Sequence, residues 1–125
     1  MRAIEKSTWL LSLEDQTEQF LLESIADFQN MDQRILLAPS ASGGWCIVEC
    51  LAHLNSYGDY YYPHLEMALQ KPYDAAKGEY YKPTWLGNWM IRSMDINAWP
   101  KWKFKAAAMH IPKTAISPQA VVAEF

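Results

Sequence analysis

The chain has 125 residues, and 50% of them are hydrophobic, which suits one domain that buries its own core. Eleven basic residues against fourteen acidic residues leave a formal net charge of −3 at pH 7, and this balance argues against a nucleic-acid partner. The basic cluster of Lys101, Lys103 and Lys105 is too small to reverse that expectation.

The sequence has no signature of membrane insertion or secretion. No apolar run approaches the length of a membrane-spanning helix, so we expect no membrane partner. The N-terminal apolar segment is interrupted by Glu14 and Asp15 before the apolar region of a signal peptide would be complete. Cys46 and Cys50 have a CxxxC spacing, which indicates neither a disulfide framework nor a zinc ribbon. We therefore expect a reducing, cytoplasmic setting.

The first predicted element is an amphipathic helix over residues 7–28. Its larger apolar side chains recur at helical spacing, and acidic residues lie outside that stripe. Residues 38–44 then contain a proline, two glycines and two serines, which predict a short connection. A connection of this length favours an antiparallel arrangement of the helices on either side. The stripe consists of Leu10, Leu13, Phe20, Leu21, Ile25 and Phe28.

The second predicted helix covers residues 45–71 and has two adjacent apolar columns, as a helix needs when it contacts two neighbours in a bundle. We expect the first column to be core. It consists of Ile47, Leu51, Leu54, Gly58, Tyr61, Leu65 and Ala68. The second column consists of Cys46, Cys50, His53, Tyr57, Tyr60, His64 and Met67.

Two shorter helices follow. Residues 85–94 fit a short helix, whereas residues 101–113 are compatible with either an extended segment or a helical turn. Ser117 as N-cap and Pro118 at the first helical position predict a further helix start. Because this helix stops at Phe125 after two turns, we expect residues 1–125 to form a single domain that is incomplete at its C-terminus.

Residues 43–69 resemble the helix-two signature of the DinB-like superfamily, in which a tryptophan and a capping residue precede a glutamate, a histidine and a leucine. Residues 112–125 and the run "YKPTWLGNWM" resemble the segment between helices two and three of that family. The resemblance implies an all-α fold, the DinB-like up-and-down four-helix bundle, with the last helix missing here. The matching residues are Trp45, Cys46, Glu49, His53 and Leu54.

The same resemblance implies a divalent metal ion, commonly zinc or nickel, in the complete family form. One ligand is a histidine of helix two, which corresponds to His53, and two more come from an HxxxH pair on the last helix. That pair has no counterpart in this sequence, and we assign His110 to a loop before the third helix. Cys46 stands where the family has serine or threonine, so we expect a weaker cap.

The residues themselves leave the role of His53 open, because a zinc site takes at least three protein ligands. His64 is eleven residues further on, about 16 Å along the helix axis, and is too distant to share an ion. Cys50 is at i−3 and would suit zinc together with His53. The alternative for Cys50 is a small buried apolar residue, and we favour that alternative.

The tyrosines of the second helix have two interpretations. They line a pocket for an aromatic or thiol substrate, or they form the amphipathic edge of the core with packed rings and hydrated hydroxyls. The residues of this candidate pocket are Cys50, Tyr57, Tyr60, Tyr61 and His64.

The sequence therefore predicts a DinB-like protein of uncertain activity that resembles metal-dependent hydrolases and thiol S-transferases. It carries one of three metal-ligand histidines, and no catalytic residue is assigned. The expected partners are a small thiol or other small molecule and a second copy of the chain. The alternative is a non-catalytic structural or interaction bundle, also homodimeric. In this chain alone we expect no bound metal, with His53 hydrogen-bonded near Tyr57.

Overall fold

The computed structural model describes residues 3–72, 78–94, 105–113 and 116–125. The described part is mostly helical and contains one short two-stranded ladder, which confirms the all-α class. No helix among these residues combines the length and the apolar character needed to cross a membrane. Lys101 and Lys103 of the basic cluster lie outside the described residues.

The chain divides into two compact units. The first unit contains Met1–Thr17 and Tyr73–Lys105, and the second contains Glu18–Pro72 and Ala106–Phe125. Helix α1, Lys6–Phe28, belongs to both. The predicted helix over residues 7–28 is thus confirmed.

In the first unit, a two-residue ladder precedes α1. Strand β1, Ile4–Glu5, pairs antiparallel with strand β2, Tyr80–Tyr81. The ring of Trp9 stacks on that of Tyr81, with centroids 5.3 Å apart and planes 2° from parallel. The sequence carries no signal for this ladder, because two-residue strands are too short to show an alternating pattern.

Helix α4, Trp85–Met94, also lies in the first unit and has the predicted bounds. Its start is stabilised by Thr84, whose hydroxyl oxygen accepts a hydrogen bond from the Gly87 backbone N–H at 3.1 Å. This bond satisfies one of the backbone donors that a helix N-terminus leaves without an intrahelical partner.

The start of α1 is held by Glu5. Its carboxylate accepts hydrogen bonds from the hydroxyls of Ser7 and Thr8, both at 2.6 Å. These two bonds stabilise the charged carboxylate and lower the pKa of Glu5 below its ordinary value. Further along, α1 buries none of its residues, and Phe20 in the middle of the apolar stripe is 62% exposed. The described residues therefore leave the apolar face of α1 largely uncovered.

The second unit is built around helix α3, Ile47–Leu69. Three short elements pack against it: helix α2, Gln33–Leu36, the 3₁₀ helix Ala108–His110, and helix α5, Pro118–Glu124. The buried apolar core is supplied by α2, α3 and α5. It consists of Leu36, Val48, Leu51 and Val121.

The ends of the helices in this unit follow local sequence signals. Ser117 caps α5, with Pro118 at the first helical position as predicted. At the start of α3, the Cys46 N–H donates to the Glu49 carboxylate at 2.8 Å. The reciprocal contact uses the Cys46 sulfur, which is a weak acceptor. Gly43, in the preceding turn, has a φ of 74°, a left-handed conformation that glycine adopts without strain.

The buried face of α3 differs from the predicted core column. Val48, which belongs to neither predicted column, is the most buried residue, and Leu51 beside it is 4% exposed. Leu54 is 51% exposed and Leu65 is also exposed, so the assignment of the whole column as core was wrong. The reason is that α2 and α5 pack on the face of α3 that contains Val48 and Leu51. Asn55 lies on the same face and donates a hydrogen bond to the Val121 carbonyl at 3.0 Å.

The main contacts of α3 are with α5, α2 and the 3₁₀ helix. The predicted antiparallel packing of α1 and α3 is not among them. The complete four-helix bundle accordingly remains a proposal.

Two leucine truncations on α3 test this correction. We expect Leu51→Ala to lower the free energy of unfolding by about 2 to 5 kcal/mol, because it removes a buried side chain. The same change at Leu54 should cost less than about 0.5 kcal/mol, because the side chain is half exposed. Urea unfolding of both variants at one dilute protein concentration measures the difference, and equal losses would contradict the assigned face.

Candidate functional site

Two histidines from distant parts of the chain meet in the second unit. His53, on α3, has its Nδ1 atom 2.7 Å from the main-chain oxygen of His110, the last residue of the 3₁₀ helix. Because a carbonyl oxygen only accepts, His53 Nδ1 must carry the hydrogen. In its neutral form, His53 therefore keeps its lone pair on Nε2.

The hydrogen bonds of Ser56 determine the tautomer of His110, the second histidine. Its hydroxyl lies 2.6 Å from the main-chain oxygen of His53 and donates its single hydrogen there. The same hydroxyl is 2.9 Å from His110 Nδ1 and must accept from it. A neutral His110 thus also has its hydrogen on Nδ1 and its lone pair on Nε2.

Aromatic rings hold both imidazoles in place. The His110 ring stacks on Tyr57, with centroids 3.9 Å apart and planes 21° from parallel. His53 meets Tyr57 edge-on, with ring centroids 5.0 Å apart, and has Trp45 at the same distance on another side. We call Trp45, His53, Ser56, Tyr57 and His110 the histidine cluster. His53 is hydrogen-bonded beside Tyr57, as predicted.

His110 is the residue whose role the sequence analysis missed. It was assigned to a loop, yet it is only 6% exposed and is the buried polar residue of the described core. A single histidine in an ambiguous stretch carries no periodicity that could reveal its burial. The contacts that bury it come from α3, more than fifty residues earlier in the chain.

One residue of the histidine cluster, His53, corresponds to the helix-two histidine of the DinB-like signature. Histidines that bind metal ions donate their other ring N–H to a carbonyl or carboxylate, and His53 has this arrangement. Within residues 3–72, 78–94, 105–113 and 116–125, no group of three or more His, Cys, Asp or Glu side chains is arranged to hold an ion.

The predicted tyrosine pocket has the form of an outer row of rings along α3. Tyr57 and Tyr61 are nearly parallel, with centroids 6.3 Å apart, and Tyr60 contacts both Tyr61 and His64 at 5.0 Å. Tyr60, Tyr61 and His64 are exposed. Tyr60 also reaches the cavity beside His110.

Cys50 is exposed, so the prediction that it is a small buried residue was wrong. Cys50 is not among the residues that pack around the core of Val48 and Leu51. Partial desolvation, together with Cys46 and Glu49, raises the pKa of the Cys50 thiol above its ordinary value. A raised pKa leaves less thiolate at neutral pH, which is the opposite of an activated nucleophile.

A cavity of about 400 Å³ lies between the second half of α1, α2 and α5. We call it the apolar groove. None of the described residues that line it has an ionisable side chain. Its main apolar residues are Leu21, Ile25, Phe28, Met31, Leu36, Val122 and Phe125.

A second cavity, of about 570 Å³, is bounded by α3, the 3₁₀ helix with the residues after it, and α5. We call it the His110 cavity. Its size is within the range of about 300 to 1,000 Å³ that small-molecule sites occupy. Its polar lining residues are Ser56, Asp59, Tyr60, His110, Lys113, Ser117 and Glu124, and the other lining residues are apolar.

Comparison with known proteins does not extend these observations. No protein-family model, no curated protein and no solved structure matches the chain. The DinB-like resemblance therefore rests on the residues quoted from the sequence.

Removing the Ser56 hydroxyl tests the cluster. We expect Ser56→Ala to lower the free energy of unfolding by about 1 to 3 kcal/mol, because the buried His110 Nδ1–H loses its acceptor. Ser24→Ala is the matched control, since Ser24 also donates to a carbonyl of its own helix, that of Phe20, at 2.6 Å. Urea unfolding should show a change below about 0.5 kcal/mol for the control. Equal effects of the two substitutions would contradict the role of Ser56.

The pH dependence of Cys50 alkylation tests whether the pKa of its thiol is raised. In a Cys46→Ala variant, the rate of alkylation by iodoacetamide should rise with pH to a midpoint above that of a free cysteine peptide. The variant removes the contribution of Cys46 but keeps desolvation, which is the largest cause of the raised pKa of Cys50, and the contribution of Glu49. The folded and urea-unfolded variant, measured over the same pH series, provide the comparison. A midpoint in the folded protein at or below that of the unfolded protein would contradict the expectation.

Proposed function

We propose that this protein is a DinB-like helical protein in which His53 is one ligand of a divalent metal ion. The hydrogen bond from His53 Nδ1 to the His110 carbonyl carries the proposal, because it directs the ring and leaves Nε2 available as a donor to the ion. The sequence signature from Trp45 to Leu54 provides independent support. When bound, such an ion would favour the thiolate form of a small thiol, as in thiol S-transferases.

The residues around His53 fix the orientation of its ring in the absence of an ion. Trp45 and Tyr57 contact the His53 ring on two sides, which restricts its rotation. Ser56 connects His53 to His110, so the carbonyl that orients His53 is itself held in place. The energetic consequence is that His53 loses little conformational freedom when it binds an ion.

We expect the affinity of this chain alone to be low. A site that retains zinc or nickel takes at least three protein ligands, and His53 is one. The ion should therefore exchange rapidly and be lost during purification.

A titration with Ni²⁺, which is paramagnetic, tests the proposal on the tag-free chain by NMR. The chain has three histidines, so their ring signals can be assigned and followed separately. We expect the ring protons of His53 to broaden at lower Ni²⁺ concentration than those of His64, which is exposed on the same helix. His53→Ala should abolish the earliest broadening, and His64→Ala should leave it. If His64 responds first, the ligand role of His53 is refuted.

We also propose a reducing, cytoplasmic setting. Cys46 and Cys50 carry free thiols, which such a setting maintains.

The second candidate function is that of a non-catalytic interaction bundle that forms a homodimer. The apolar groove favours it, because a groove without ionisable side chains best accommodates an equally apolar surface. The uncovered face of α1 offers such a surface on a second copy of the chain. In a two-fold dimer, each α1 would contribute to covering the groove of its partner.

Light scattering tests the dimer. We expect twice the chain mass at micromolar concentration. Ile25→Glu should convert the dimer to a monomer, because it introduces a charge into the groove lining. Leu22→Glu is the control, since Leu22 is an exposed α1 residue outside that lining. A compact monomer for the unmodified chain would exclude the dimer.

A further inference from the structure

The function proposed above uses the backbone oxygen of His110 but not its imidazole. The ring is buried, its Nδ1 donates to Ser56, and it lines the His110 cavity. No hydrogen bond from a described residue reaches Nε2. Among the described residues, no fully buried side-chain nitrogen or oxygen lacks a partner. Nε2 must therefore retain some accessible surface. His110 is also one of the residues that line the cavity.

The groups around this nitrogen favour one kind of ligand. A neutral His110 presents a lone pair on Nε2 and can accept a hydrogen bond there. The carboxylates of Asp59 and Glu124 line the same cavity, whereas Lys113 supplies the one ammonium among the described lining residues. The lining thus has a net negative charge. It also includes the ring of Tyr60, whose face attracts cations.

Apolar side chains complete the lining on the sides formed by α3, the 3₁₀ segment and α5. Such a lining binds the body of a small molecule, while a few polar groups select its head. The apolar residues are Ala52, Met109, Ile111, Ile116, Ala120 and Val121.

We propose that the His110 cavity binds a small organic amine, with the ammonium group donating to His110 Nε2 and lying near Asp59 and Glu124, and with the apolar body packed between α3 and α5. This site does not depend on a metal ion, and His53 is not part of its lining. Its failure and the failure of the ligand role of His53 are therefore separate results.

Three probes with the same aromatic ring test the head-group preference. They are 2-phenylethylamine, which is a cation, 2-phenylethanol, which is neutral, and 3-phenylpropionate, which is an anion. We expect the amine to bind about tenfold more tightly than the alcohol, because a charged hydrogen bond adds roughly 1.5 kcal/mol, and the anion to bind most weakly. NMR titration of the full chain gives the three affinities.

Two further measurements locate the amine. Its binding should change the ¹⁵N shift of His110 Nε2 and leave that of His64 unchanged. Asp59→Asn should weaken binding by about two- to fivefold, as expected for an exposed carboxylate. Glu66→Gln, which removes an exposed carboxylate of the same helix outside the cavity lining, should have no effect.

The outcomes that overturn the proposal are equally concrete. Stronger binding of the anion would mean that the cavity prefers anions, with Lys113 and a protonated His110 as the groups that contact the ligand. Equal affinities of the three probes would indicate only contact with apolar surface. Failure of the amine to bind at millimolar concentration, or binding that leaves His110 Nε2 unchanged, would also refute the site.

Discussion

The hydrogen bond between His53 Nδ1 and the main-chain oxygen of His110 joins segments that lie 57 residues apart in the sequence. It acts together with Ser56, whose hydroxyl bridges the His53 carbonyl and His110 Nδ1. Because every donor in this network has an acceptor, the buried Nδ1–H of His110 does not carry the cost of an unsatisfied donor. The network also positions the 3₁₀ helix against α3, and the cavity between them depends on that placement.

This polar connection matters because the apolar core of the second unit is small. Among the residues that the structure describes, it consists of Leu36, Val48, Leu51 and Val121, with partly buried side chains such as Phe28 around them. Much of the remaining apolar surface is exposed, notably along α1. Exposed apolar faces of this extent are typical of surfaces that meet another protein, which is the physical basis of the proposed homodimer.

The three proposals use different surfaces of the second unit. The ligand role of His53 concerns the side of α3 that bears Trp45 and Tyr57. The amine site lies around the imidazole of His110, and the dimer would cover the groove between α1, α2 and α5. Ser56 is shared by the first two sites, since it connects the two histidines and also lines the His110 cavity. A change at Ser56 should therefore affect both, whereas the groove has no direct contact with it.

The sequence by itself determined the features that depend on neighbouring residues. The extent of α1 follows from helical periodicity, and the start of α5 follows from Ser117 and Pro118, because helix formation and capping are local interactions. Only the tertiary structure decided which face of α3 is buried. Apolar side chains occur on more than one face of α3, and the positions of α5 and α2 bury Val48 and Leu51 and leave Leu54 half exposed. The pairing of His53 with His110 was likewise beyond the sequence, because a contact between residues 57 positions apart depends on how the whole unit packs and leaves no local pattern.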